Sequence, residues 1–423
     1  KVGDRSCRGG TAAAYSTLAA ALNVAQPGDM VLIRGGTYQE RLIPPRSGNS
    51  AASITFKNNP GESVTLSGAN EPTIYLLNRS YLIIEGLHVT DTLGWGRIEG
   101  SNNNIIRNNR FSVATAHGTT GGLKLVRSAN NKIVDNSFED GSDNMEMQES
   151  DRNLVQNNNF TKARHSLLSV RCSSYNMFRG NRFNNVDQKA AEIYDCEAVS
   201  DAPYKLDATK RNIFENNAFT YTRASSADYR YNGIQYAGQN GIVRRNVFYD
   251  NHGGGLSFQV YASEALHNYG HRIYNNTFFN NRCEGLNAAT SNSPTRYYDI
   301  LVRNNIFYKN VDCAGSPTQI SIGNTSAVIM SNNAILTTSP SFVNETERDL
   351  RLEASSPMID AGVFVARTVG AGTGTRLTVD DVSYFYDGYG IPGEVGYLIQ
   401  VEGQTQTARI VSIDYAGKTL TLN

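Results

Sequence analysis

The chain has 423 residues, 39 of them basic and 39 acidic, so its formal charge is zero. With no basic surplus, composition offers no footprint for nucleic acid. No apolar run is long enough to span a bilayer, so membrane insertion is not expected, and the five cysteines lack zinc-site spacing.

The opening "KVGDRSCRGG" shows no signal peptide and reads as a mature or trimmed start. The stretch "YSTLAAALNVAQPGDMVLIRGGTYQERL" predicts a short amphipathic helix, a Pro-Gly-Asp turn and a strand. "ASITFKNNPGESVTLSG" and "YLIIEGLHVTD" predict further strands.

From residue 101 one phrase keeps returning: an apolar residue, Asn three places on, then Phe two further. The pairs are Asn109/Phe111, Asn136/Phe138, Asn158/Phe160, Asn181/Phe183, Asn217/Phe219, Asn246/Phe248, Asn276/Phe278 and Asn305/Phe307, with a weaker copy at Asn333/Ile335. The Phe-to-Phe steps are 27, 22, 23, 36, 29, 30 and 29 residues. A fixed minimum with variable additions predicts a solenoid with loops inserted into its coils. The phrases are too short and too rich in Asn for helices, so the coils are β. Stacking in register then builds an Asn ladder and a Phe stack. The N-terminal helix is expected to cap the raw apolar first coil.

Aligning coils on Asn also aligns a second strand upstream. Its inward pairs run Leu123/Leu125, Met145/Met147, Leu168/Val170, Ala191/Ile193, Ile234/Tyr236, Leu256/Phe258 and Leu286/Ala288. Side chains alternate faces, so the residues between point outward. One outward column reads Lys124, Glu146, Ser169, Glu192, Gln235, Ser257 and Asn287; the next reads Val126, Gln148, Arg171, Tyr194, Ala237, Gln259 and Ala289. Insertions at 196–211, 260–271 and 289–298 follow this strand, and 221–231 precedes it. They carry Tyr204, Tyr221, Tyr229, Tyr231, Tyr261, Tyr269, Tyr297 and Tyr298, with Arg223, Arg230, His267 and Arg296. Such loops would wall a groove, and aromatic rings suit the apolar faces of sugars.

"LRLEASSPMIDAG" reads as a closing coil, after which the Asn phrase stops and strands with Gly turns appear. The expected division is a β-helix with its cap over 1–363 and a small β tail over 364–423, packed near the C-terminal end as a cap. "DYAGKTLTL" predicts a hairpin. Cys172 and Cys196 fall on neighbouring coils, and Cys283 and Cys313 flank another coil boundary. Disulfides and buried thiols both fit these positions.

The repeated phrases resemble those of bacterial right-handed parallel β-helix repeat proteins of the pectin-lyase-like group, over roughly residues 12–362. The resemblance implies an all-β right-handed parallel β-helix and a polysaccharide as partner. That group includes polysaccharide lyases, glycoside hydrolases and uronan epimerases. Two chemistries fit the outward face. Hydrolysis needs two carboxylates, and Glu146 and Glu192 lie two coils apart, about 9–10 Å at the strand spacing. Asp195 and Glu149 are alternates near the same strand ends. β-Elimination of a uronate needs a cation for the substrate carboxylate and a base for the C5 proton. Arg171 sits between Glu146 and Glu192, with Lys124, Lys189 and His165 close in register.

The coil pair "DNMEMQESDRNLVQNNNF" and "HSLLSVRCSSYNMFRGNRF" is similar in layout to a lyase family acting on alginate and dermatan-type chains. The resemblance implies a catalytic role for Arg171, in "VRCS". The family's base Lys is replaced by Glu149 and the following His by Cys172, which leaves the base to His165 or Lys189. Ca2+ remains a candidate cofactor by the same resemblance. Lys124, Gln148, Tyr194, Asp195, Gln235, Gln259 and Tyr231 are the candidate substrate contacts. The expectation is a secreted monomer that binds a polysaccharide across residues 124–259 and cleaves it by β-elimination. Hydrolysis by Glu146 and Glu192, and a non-catalytic binding or adhesin role, are the alternatives, since fold does not fix function.

Overall fold

A computed structural model describes residues 14–116, 121–194, 209–222, 231–258, 268–288, 297–323, 327–370 and 374–423. Three long parallel sheets wind around one core. The first runs from strand Met30–Ile33 to Val328–Ser331 and has twelve strands. The second runs from Gly36–Tyr38 to Ala334–Leu336, also with twelve, and the third from Ile74–Leu77 to Ile320–Ile322 with ten. Each regular coil gives one strand to each sheet, which makes a right-handed parallel β-helix. The helix Leu18–Val24 lies at the start, N-capped by the Thr17 hydroxyl accepting from the Ala20 N–H, with Leu18, Ala21 and Leu22 buried.

The corners explain the Asn doublets. Between the first and second sheets the chain turns on Asn108, Asp135, Asn157, Gly180, Asn216, Arg245, Asn275, Asn304 and Asn332, with φ between 51° and 65°. Asn, Asp and Gly visit this left-handed region at least cost. The next residue in each coil is the ladder Asn. Asn158 is typical. Its Oδ1 accepts from the Asn136 N–H at 2.9 Å and the Asn136 side-chain amide at 3.1 Å. Its own amide donates to Ile133 O at 2.8 Å and Asn181 Oδ1 at 3.1 Å. The ladder runs unbroken from Asn109 to Asn333. Inside it the Phe rings from Phe111 to Phe307 stack at 4.7–4.9 Å.

Further ladders were not read from the repeat. Asn104, Asn131, Asn153, Asn176 and Asn212 link the corner between the third and first sheets. Asn251, Asn281 and Asn310 link the remaining corner and end on Gln319.

Two expectations for the C-terminal region are corrected. Residues 349–352 are not a coil. Asp349–Leu352 pairs antiparallel with Phe342–Asn344, and this hairpin sets Phe342 against Tyr249, Phe279 and Tyr308 on the outer side of the second sheet. The tail does not sit on the end of the solenoid either. Its sheet of Arg376–Thr378, Leu398–Gln400, Thr407–Asp414 and Thr419–Leu422 belongs to a unit lying along the flank of the first sheet. Tyr384, Tyr386, Tyr389 and Ile391 cover Leu154, Met177, Ile213, Ile242 and Tyr274. The reason is the apolar stripe itself: these coil residues face outward and need cover. Arg272–Asp381 at 2.8 Å and Arg179–Glu394 at 2.9 Å fix the contact.

Candidate functional site

The third sheet places the charged residues of the sequence in the expected register. Lys124 pairs with Glu146, Glu146 with Ser169, Ser169 with Glu192, Glu192 with Gln235, Gln235 with Ser257 and Ser257 with Asn287. Gln148, Arg171 and Tyr194 form the neighbouring column. The inward pairs, from Leu123 and Leu125 to Leu286 and Ala288, are buried in the core.

The carboxylates depart from expectation. An open pair was anticipated, but Glu146 is 2% exposed and Glu192 is 0% exposed. The Lys124 ammonium lies 3.0 Å from Glu146 Oε2, although off hydrogen-bond geometry, and Arg171 Nε lies 3.7 Å from Oε1. Glu192 is ion-paired with Lys189 and accepts from Gln235 Nε2 at 3.2 Å and Ser166 Oγ at 3.3 Å. The cations remain half-buried, with side chains 17% exposed at Lys124 and Lys189 and 23% at Arg171. A buried carboxylate demands such partners, because an unpaired one is costly.

His165 completes the cluster. Its Nδ1 lies 2.8 Å from Asp143 Oδ1, which also accepts the Ser166 N–H at 2.9 Å. Its Nε2 lies 3.9 Å from Glu192 Oε2. The hydrogen bond to Asp143 raises the imidazole above the ordinary histidine value, against the opposing effect of burial. Arg171 stacks over the Tyr194 ring at 4.9 Å. Burial, and then the Glu192 charge, push the Tyr194 hydroxyl up, so it stays protonated.

Asp143 was missed in the sequence, though its signal was present. Three places before Glu146, Ser169 and Glu192 stand Asp143, Ser166 and Lys189, and Ser166 pairs with Lys189 in the sheet. Carrying the register that far upstream finds the residue.

Two proposed contacts change character. Tyr231 is 6% exposed and accepts the Thr222 hydroxyl at its carbonyl, so it belongs to the packed interior rather than a groove wall. Gln235 is buried as well and serves Glu192. Asp195, Gln259 and Ala289 lie outside the described residues, as do Tyr204, Arg223, Tyr229, Arg230, Tyr261, His267 and Arg296. Tyr269 and Tyr298 stack at 4.7 Å. Cys283 and Cys313 form a disulfide. Cys172 is disulfide-bonded too, while Cys196 lies outside the described residues. Among the described residues no group of three or more His, Cys, Asp or Glu side chains is disposed to hold a metal ion. Among them, too, no helix is long and apolar enough to cross a membrane.

Three parallel sheets, corner ladders and a charged strand face define the class: a right-handed parallel β-helix with an ionised cluster on one sheet. The family model described as right handed beta helix region matches residues 74–202 and 147–337. The chain belongs to that family.

Among solved structures it is similar to a GH136 lacto-N-biosidase from Eubacterium ramulus, at 11% identity and TM-score 0.50, covering 78% of this chain and 66% of that one. The pectate lyase Pel9A is 16% identical with TM-score 0.47, over 84% of this chain and 88% of that one. A mannuronic acid specific polysaccharide family 6 lyase from human gut microbiota is 17% identical with TM-score 0.45, over 77% and 85%. At 11% identity the likeness to the lacto-N-biosidase concerns the fold alone. The uncharacterized protein YwoF of Bacillus subtilis (strain 168) is 36% identical over 84 residues. This chain covers 18% of that relative's length.

Proposed function

We propose that the chain is a secreted carbohydrate-active protein that binds a uronate-containing polysaccharide along the third sheet and cleaves it by β-elimination at the cluster around Arg171. One observation carries the reading: each buried carboxylate lies beneath cations that are more exposed than it is. What a ligand meets first is positive charge, which suits a carboxylated sugar. The same arrangement disfavours hydrolysis, since Glu146 and Glu192 are both engaged in ion pairs.

In this reading Arg171 and Lys124 neutralise the uronate carboxylate and so acidify the C5 proton. Asp143 holds the His165 Nδ1 proton, leaving the Nε2 lone pair to accept the C5 proton. The C5–H and C4–O bonds break, and a C4=C5 double bond forms. Lys189 supplies a proton to the departing oxygen. The Cys283–Cys313 disulfide suits an oxidising compartment, where an external polymer would be met. Residues 1–363 act as the binding body and 364–423 as a separate small unit.

The test is product analysis on neutral and acidic polysaccharides, following reducing ends together with unsaturated-uronate absorbance. Both should rise on a uronate polymer, and Arg171→Ala should lower both by roughly 10²-fold. Reducing ends without unsaturation would overturn elimination and reassign the site to Glu146 and Glu192. Binding without either signal would make this a binding protein.

A further inference from the structure

A cleft of about 640 Å³ opens between the tail and the flank of the first sheet, away from the third-sheet cluster. One wall is Arg244, Arg245 and Tyr274 from the coils. The other is Leu377, Leu398 and Ile399 from the tail, and the chain crossing at Phe364–Arg367 closes one side. Its volume falls in the roughly 300–1,000 Å³ range of small-molecule sites.

Two features point to an occupant. Phe364 and Leu398 are 61% and 56% exposed, although both line a concave space. Single exposed apolar residues need no explanation, but apolar side chains converging on one cleft do. Beneath them lie polar atoms that are buried without a hydrogen-bond partner: the Tyr384 hydroxyl and the Nε of Arg244, both on cleft-lining residues, and the Nε of Arg303. The Arg303 guanidinium carbon stands 5.6 Å from the Tyr384 ring centroid. An arginine Nε–H only donates, and a phenol O–H donates readily. Arg244 already gives Nη2 to Glu215 at 2.6 Å and Nη1 to the Tyr274 hydroxyl at 3.3 Å, so only its Nε, the Arg303 Nε and the Tyr384 hydroxyl are left over as donors, a state native proteins rarely tolerate. At the rim Arg245 and Arg367 are exposed, against the one acidic lining residue Glu402.

We propose that this cleft binds a small monocarboxylate with an apolar or aromatic body. The body covers Phe364 and Leu398, and the carboxylate meets the exposed Arg245 and Arg367 at the rim. This site is independent of the polysaccharide reading, because it shares no residue with the third-sheet cluster.

The test is isothermal titration of the full chain with 2-naphthoate and with its uncharged isostere 2-naphthamide. Leu398→Asp and Arg367→Glu alter exposed side chains, and an unchanged melting midpoint verifies that both variants fold. Naphthoate should bind, the amide should bind at least roughly tenfold more weakly, Leu398→Asp should weaken naphthoate at least tenfold, and Arg367→Glu by about threefold to tenfold. Absence of heat with naphthoate up to its solubility limit would overturn the site. Equal affinities for acid and amide would overturn the carboxylate class, and folded variants that bind like the parent would overturn the location.

Discussion

His165 and His271 show one residue type put to opposite uses. Asp143 raises His165, so the base needed for elimination appears only as pH climbs past the ordinary histidine range. The acid limb of the rate profile should therefore lie above about 6.5. Asp143→Asn should move that limb down toward the ordinary value and lower the rate, while Arg171→Lys should lower the rate without moving it. An unmoved limb in Asp143→Asn would remove His165 from the mechanism. His271 is fully buried beside Tyr236, and burial depresses it to about 3. Its Nδ1 accepts the Gly241 N–H at 3.0 Å, and its Nε2 faces Asn268 Oδ1 at 2.5 Å. The unfolded chain takes a proton near pH 6.5 that the folded chain refuses, so the contribution is full above that value and is lost as pH falls toward 3. His271→Gln should lower the urea midpoint at pH 7 yet flatten its decline between pH 7 and pH 4.5. Parallel declines in parent and variant would assign the acid sensitivity elsewhere. His165 carries the opposite sign: its contribution is present below pH 6.5 and fades as pH rises through its raised value.

At the scale of the element, stability resides in the corners as much as in the strands. Asn158→Ala removes the partners of Asn136, Ile133 and Asn181 at once, each in a buried ladder. With unsatisfied buried groups costing ~1–3 kcal/mol each, the variant should lose about 3 kcal/mol or more in denaturant titration. Phe160→Ala opens a hole between Phe138 and Phe183 and should cost ~3–5 kcal/mol. A loss below ~1 kcal/mol for Asn158→Ala would make the ladder ornamental. These elements were legible because each coil repeats the same residues, and the register of Glu146, Arg171 and Glu192 came with them. Burial was not legible. Alternation tells which way Glu146 points, but not that Lys124 and Arg171 will lie against it. Asp143 escaped because it stands three residues upstream of Glu146, outside the alternating segment, where only the match of Ser166 with Lys189 carries the register. The other Asn ladders escaped because Asn104 and Asn251 do not keep the Phe spacing that made the main one visible.

For the whole molecule, the flanking tail changes how the solenoid should unfold. A β-helix is quasi-one-dimensional: each coil touches its neighbours, so stability is a sum of local terms and opening can begin anywhere along it. The tail breaks that locality. Ile391 and its neighbours lie in one cluster with Leu154, Met177, Ile213, Ile242 and Tyr274, which come from successive coils. Glu394 pairs with Arg179, the Tyr397 hydroxyl donates to Glu215, and Asp381 pairs with Arg272, so several coils are pinned to one unit. Opening any of them alone would break contacts with the others' partner. The intact chain should therefore melt these coils in one cooperative step. A chain ending at residue 363 should show a lower and broader transition by scanning calorimetry. It should also self-associate in light scattering, because a stripe of outward Leu, Met and Ile would lose its cover. A truncated chain that stays monomeric and melts as sharply as the parent would show that the coils hold together without the tail, and that the largely buried ion pairs at Arg179 and Arg272 add little net stability.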